Sequence, residues 1–438
     1  MESYQWQTPN EWIFTLKKGI YFHQGQELTT QDVAASIQRG QRPENKYTHS
    51  NLEGISLSVI DKYQFHLKTP SPNSELLWNL SGLYIINHTD INKKEDDFNQ
   101  TEQLNGTGPY RLLSHQQFNE FHFAAFNQYH RGPPYLQQVV VKINLDEEER
   151  VKHFLSGQAD LISDISSGQI EKLLPKANIV NQTGHYLYLM APDVYRDQSP
   201  DIRDSHGQIM NSNPLKDVRV RKAISLALDR DALIRQTYGP HSGAQAAGQL
   251  VNDNILTASR HLHPDQQDLE QARQLLSEAG YPDGFQLTLT DKDARKPILQ
   301  LIAGMLRQIG IAAEVQTHPP EIYFDALFKH AYSAGCFMHS KDGNLSRMLT
   351  SLLMKDEVSN SGRYFSEALE QQIKKALTRT EPTLKTRYLR EASEMAMRDL
   401  GIIPMFFVPE IWAIRQDMEF KPSDTFYTEA YYVDKLKK

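Results

Sequence analysis

The sequence predicts an α/β fold organised as two lobes. Three observations carry that expectation. The chain has 438 residues, 39% of them hydrophobic, which is enough for two lobes and a large core. Residues 285–290, 297–309 and 311–317 read strand, amphipathic helix, strand, the order of an α/β layer. Between the halves, residues 214–238 (PLKDVRVRKAISLALDRDALIRQTY) read as one long core helix.

Taken from the start, Trp12, Phe14 and Leu16 alternate with polar residues, the pattern of a half-buried strand. Lys18-Gly19 turns the chain and Tyr21-Phe22 resume it. Thr29 or Thr30 can cap a helix running to Gly40, with Val33, Ala34 and Ile37 inward. Residues 55–68 read as two short strands around Asp61-Lys62, and 76–86 as an apolar segment under a loop. Residues 105–112 (NGTGPYRL) suggest a phosphate loop but lack the Gly-Lys-Ser/Thr ending and a following helix. A tight turn into a strand is the simpler reading.

Residues 121–129 and 139–143 fit the next strands, and 147–157 a helix closed by Gly157. Residues 186–190 (YLYLM), with Tyr188 at their centre, read as a buried strand whose continuation lines a cleft. Residues 199–213 lack periodicity and read as a surface loop.

In the 214–238 segment, Asp217 is the expected cap and Gly239-Pro240 the stop. Val218, Ala223, Ile224, Ala227, Leu228 and Ile234 form the apolar stripe, with Arg219, Arg221, Lys222, Arg230 and Arg235 among them. Residues 241–249 are small and polar, as a crossing between lobes would be. Residues 268–280, 365–377 and 381–400 read as helices, and 402–408 as a buried strand with 411–415 continuing the return.

Composition excludes several functions. The net charge of −7 argues against a nucleic-acid surface, which needs clustered Lys and Arg. No apolar run approaches the roughly 20 residues that span a bilayer. The single cysteine, Cys336, rules out an intrachain disulfide and a Cys-rich metal cage. The opening MESYQWQTPNEW has neither the basic start nor the apolar core of a signal peptide, so a removed leader and a cytoplasmic chain both stay open. His-Glu-x-x-His, Gly-x-Ser-x-Gly and Gly-x-Gly-x-x-Gly are missing. His261 and His263 lack further ligands, Cys336 lacks an adjacent base, and Asp291 and Asp293 read as solvated turn residues. No catalysis, cofactor or metal is expected.

Ordered strings along the chain resemble one family. They are W-x-F-x-L-K-K-G-I-x-F-H-x-G-x-x-L-T-x-x-D-V from Trp12, the G-T-G-P-Y at 106–110 and Tyr129-His130-Arg131-Gly132. D-V-R-V-R-K-A follows from Asp217, then L-L-S-E-A-G-Y-P-D-G-F-x-L-T-L at 275–289, I-P-M-F from Ile403 and W-A-I-R from Trp412. Together they resemble the peptide-type (family 5) extracellular solute-binding proteins of ABC transporters, oligopeptide- and dipeptide-binding-like. The likeness runs in order from Trp12 to about Arg415, with the family's N-terminal stretch apparently lacking.

The resemblance implies a two-lobe, periplasmic-binding-protein-like (type II) fold with a hinge. Residues 1–247 would be a shortened lobe I with an accessory subdomain at 1–135, 248–408 lobe II, and 409–438 the return to lobe I. The implied function is capture of a peptide or similar small solute between the lobes, without chemistry, for the permease subunits of an ABC importer. A monomer in the periplasm or another extracytoplasmic space is implied. The alternative is the ligand-sensing domain of a cytoplasmic transcription regulator of the sugar-phosphate-stress type.

A peptide needs a carboxylate against its ammonium and an Arg or Lys against its carboxylate. By resemblance, Arg295 stands where some members place a carboxylate-binding Arg; the plain alternative is a surface residue at a helix entry. The family's anchoring Asp, which follows a Gly-Trp pair, falls on His339, with Cys336 in place of the Trp. Asp342 is the nearest substitute, with a turn residue as its plain alternative. Arg295, His339, Asp342, Tyr188 and Cys336 are the candidate ligand-binding residues.

Overall fold

The 214–238 segment is two helices rather than one. Val218–Ala227 is capped by Asp217, whose side chain accepts from the backbone N–H of Arg219. Leu228 then turns extended, and Asp229 caps Arg230–Tyr238 by accepting from Ala232 N–H at 2.8 Å. A second short carboxylate inside the apolar pattern restarts the helix, because it competes for free N–H groups that a continuous helix would use itself. Arg221 and Arg230, set among the apolar stripe, are buried with it, being 6% and 4% exposed. The Arg230 guanidinium donates to the carbonyls of Ser225, Asp265 and Pro404 and to Ser225 Oγ.

The computed structural model describes residues 1–45, 48–94, 97–98, 104–116, 119–240, 242–423 and 428–436. His241, at the head of the expected crossing, lies outside them. The chain divides into two compact units, and the expected lobe boundary at 247–248 falls inside the second.

The first unit comprises residues 1–162, 377–381 and 414–438. Strands Ser3–Thr8, Glu11–Thr15, Gln64–Lys68 and Ser56–Val59 form an antiparallel sheet in that spatial order. Alternation puts Trp12, Phe14, Phe65 and Leu67 on the buried face, under helix Thr30–Gly40. That helix starts with a capping box between Thr29 and Asp32, and it buries Ala35 rather than Ala34. Asp32 is 1% exposed and also accepts from Asn87 Nδ2, His88 N–H and His88 Nδ1. Tyr21-Phe22 form only a bridge, between Tyr21 and Glu27. The 105–112 segment is the expected turn, leading into a meander of Tyr110–Gln116, Glu120–Ala125 and Gln138–Lys142.

The second unit comprises residues 163–376 and 382–413. Its sheet runs Ile202–Arg203, Phe285–Lys292, Ala334–His339, Ala177–Pro192, Ile403–Arg415 and Gln245–Ala246, with Ile311–His318 also paired to Phe285–Lys292. Phe285–Lys292 is parallel to Ile311–His318 and to Ala334–His339, and helix Lys296–Arg307 makes the crossover between the first two. Ala334–His339 runs antiparallel to Ala177–Pro192, placing Cys336 opposite Met190 and Met338 opposite Tyr188. Ile302, Leu306, Leu289, Ile224 and Leu233 belong to one core.

The 199–213 segment is more than a surface loop. It adds the edge strand Ile202–Arg203, and its ends are pinned: Ser199 bonds Asp193 and Ser333, while Asn213 Nδ2 donates to the Asp193 and Arg196 carbonyls.

Candidate functional site

In parallel α/β sheets, polar chemistry gathers at the carboxyl ends of strands, where side chains leave the core beside a helix start. Here Phe285–Lys292 ends on Asp291 and Lys292, and Lys296–Arg307 begins just after Arg295. Asp291 is 0% exposed. Tyr188, equally buried, donates its hydroxyl to Asp291 Oδ2 at 2.8 Å, and the Lys292 N–H donates to Oδ1 at 2.6 Å. Arg295 Nη1 reaches Oδ1 only at 3.4 Å. Burial pushes the Asp291 carboxyl above its usual range, and the Arg295 charge works against that shift.

Arg295 is the most unsaturated group of the cluster. Its side chain is 13% exposed. The guanidinium lies 5.7 Å from the Tyr188 ring centroid, and Asp291 is its only hydrogen-bond acceptor among the described residues. A guanidinium carries five N–H donors, and four are unused here. Lys292 sits beside it with its ammonium 5.2 Å from the Phe324 ring; burial and then the Arg295 charge lower the Lys292 pKa.

The candidates therefore separate. Arg295 and Tyr188 are joined through Asp291. Cys336 is on the adjacent strand, 0% exposed, with its carbonyl accepting from Tyr323 Oη at 2.8 Å. Burial and the nearby Asp291 charge push its thiol well up, so it is no thiolate nucleophile. His339 ends that strand, with Nε2 2.9 Å from Ser351 Oγ. Burial, then Lys341, bring the His339 pKa down to about 4, so the ring is neutral at pH 7. Asp342 is exposed in the following turn at φ 52°, a left-handed angle that Asp tolerates better than most residues. Its carboxylate has no partner among the described residues, and only its backbone N–H is engaged, to Ser340 Oγ.

Asp291 is the residue that the sequence reading passed over as a solvated turn. The signal was present: Phe285, Leu287, Leu289 and Asp291 are successive inward positions of one strand. A carboxylate in phase with that row must be buried and therefore held.

The comparisons with known proteins agree with this architecture. The family description "Bacterial extracellular solute-binding proteins, family 5 Middle" matches residues 1–347. Glutathione-binding protein GsiB of Salmonella paratyphi A is 26% identical over 417 residues, covering 90% of this chain and 77% of that protein. Among solved structures, the ABC transporter substrate-binding protein CtaP of Listeria monocytogenes superposes with TM-score 0.84 at 18% identity, covering 99% of this chain and 90% of CtaP. The ABC transporter-associated periplasmic binding protein DppA of Helicobacter pylori, in complex with the peptide STSA, gives TM-score 0.73 at 19% identity, covering 99% and 88%. These likenesses identify the fold as the type II periplasmic-binding-protein fold. The relatives are binding proteins, not enzymes, and give the regulator alternative no support. The chain belongs to family 5 of the bacterial extracellular solute-binding proteins, the family of substrate-binding components of ABC importers.

Proposed function

We propose that the solute is a short peptide or a similar small molecule bearing a carboxylate, bound through Arg295. The observation that carries this reading is the unsaturated Arg295 guanidinium, held over Tyr188 and leaning on an Asp291 carboxylate that already has two better donors. An incoming carboxylate gains a bidentate, charge-assisted pair without any new charge being buried alone. The peptide in the DppA complex and the glutathione in the name of GsiB are consistent with this class.

In this reading Tyr188 and Cys336 support the anchor rather than touch the solute. His339, neutral and occupied with Ser351, supplies polar surface, and Asp342 is the carboxylate free to meet an ammonium group. The solute is delivered to the permease subunits of an ABC transporter, from the periplasmic or extracytoplasmic side, by a monomer whose two lobes move about a hinge.

The test is a thermal-shift screen of the purified chain against glutathione and di- to pentapeptides, with C-terminal amides as controls. A ligand of the folded state raises Tm by mass action. Stabilisation by free acids, lost with the amides and in Arg295→Ala, is the expected result. Equal stabilisation by acid and amide would sink the Arg295 assignment.

A further inference from the structure

The second unit carries a groove of about 500 Å³ whose lining includes none of the candidate site residues above. One wall is the strap His261–Asp265, another the first turns of helix Val218–Ala227, and a third the end of helix Pro382–Asp399. Gly248 sets the strap in place: a Cβ there would lie 2.2 Å from the carbonyl carbon of His263, so only a residue without a side chain allows the approach.

The lining is cationic although the whole chain is acidic. Arg219, Lys222, Arg230 and Arg398 face the groove, and Asp265 is the only carboxylate among the described residues that line it. Asp265 is already committed, accepting from Lys222 Nζ at 2.6 Å and Ser225 Oγ at 2.7 Å. Just outside the lining, Asp217 pairs with Arg219. Arg230 is bound by carbonyl and hydroxyl oxygens alone, and Arg398, exposed, has no partner among the described residues. Two charges thus remain uncompensated, with His261 and His263 beside them. Leu262, Leu275, Met397 and Leu400 supply apolar surface.

We propose that this groove is a second binding site, for a small organic anion with an apolar body. The anionic head would meet Arg398, the exposed one of the two uncompensated charges, and the body would cover the leucines and Met397. The volume suits a ligand of drug size or smaller. Nothing in this assignment depends on the Arg295 reading.

The experiment is calorimetric titration of the full chain with hexyl phosphate and hexanoate, and with hexanol as the uncharged control. Saturable binding of the two anions is expected, and none of the alcohol. Arg398→Glu, at an exposed position, should raise Kd at least ~10-fold, the effect of losing one charged contact. Leu275→Ser should weaken hexyl phosphate more than inorganic phosphate. Binding should persist in Arg295→Ala, which separates this site from the solute anchor. No anion binding at millimolar concentration, equal binding of hexanol, an affinity unmoved by Arg398→Glu, or loss of binding in Arg295→Ala would each overturn the proposal.

Discussion

The Tyr188 hydroxyl donates to Asp291 Oδ2 at 2.8 Å, and both side chains are fully buried. The pair joins the long strand Ala177–Pro192 to the end of Phe285–Lys292 and makes the floor on which Arg295 rests. Tyr188→Phe leaves a buried carboxylate short of a donor, which costs about 1–3 kcal/mol. Denaturant titration should show that loss, and the variant should still bind solute, with reduced affinity.

Arg295 is expected to act on binding far more than on stability. Its contact to Asp291 is long, and the Tyr188 hydroxyl and the Lys292 N–H hold that carboxylate more closely. Arg295→Ala should weaken a carboxylate-bearing solute roughly 10- to 100-fold, the worth of a charged hydrogen bond. Arg295→Lys should recover only part of that, because an ammonium cannot pair bidentately. A variant with wild-type affinity would remove Arg295 from the site.

His339 should make the second unit sensitive to mild acid. Its folded pKa of about 4 lies below the unfolded value of about 6.5, so the unfolded chain binds more protons between those limits. Stability contributed by the neutral ring is therefore complete above about pH 6.5 and is lost as pH falls toward 4, by at most about 3 kcal/mol. His339→Gln, which keeps a polar partner for Ser351, should flatten the pH dependence of Tm in that window. An unchanged slope would show that carboxylates dominate it.

Gly284 and Gly310 meet where strands Phe285–Lys292 and Ile311–His318 begin. A Cβ on Gly284 would fall 1.8 Å from the Gly310 carbonyl oxygen, and Gly284 sits at φ 69°. Gly284→Ala should destabilise the chain by more than about 2 kcal/mol, from left-handed strain plus the displaced strand. Gly304→Ala, with nothing within 4 Å of its Cβ inside a helix, should be neutral or stabilising. Urea midpoints of the two variants provide the comparison.

Asp32 gathers donors from Thr29, Asn87 and His88 at 1% exposure. Asp32→Ala strands those groups and should cost about 2–3 kcal/mol, read as early loss of protection in the first unit by hydrogen exchange.

The fold class, the family and most elements are legible along the chain. Those properties are written in local order: alternation at Trp12, Phe14 and Leu16, the cap at Thr29, the strand–helix–strand run after Phe285, and the strings that carry the resemblance. Alternation and capping act between residues a few positions apart, so a single chain displays them. Short apolar helices escaped the reading. Pro320–Phe328 and Leu345–Leu353 span nine residues each, shorter than the window of roughly 11–18 residues over which a helical period stands out. The break at Leu228 was legible only as a second Asp, and the tertiary structure chose between a bend and a continuous helix.

Which polar residues are spent and which are free becomes visible only once the chain is folded. Tyr188 and Asp291 are 103 positions apart, and only sheet pairing brings them together. That bond saturates Asp291, and this leaves Arg295 with donors to spare. The same accounting buries Arg230 and Arg221 in carbonyl cages and leaves Arg398 bare. A side chain's availability is set by every neighbour that competes for its hydrogen bonds, and most of those neighbours are remote in sequence.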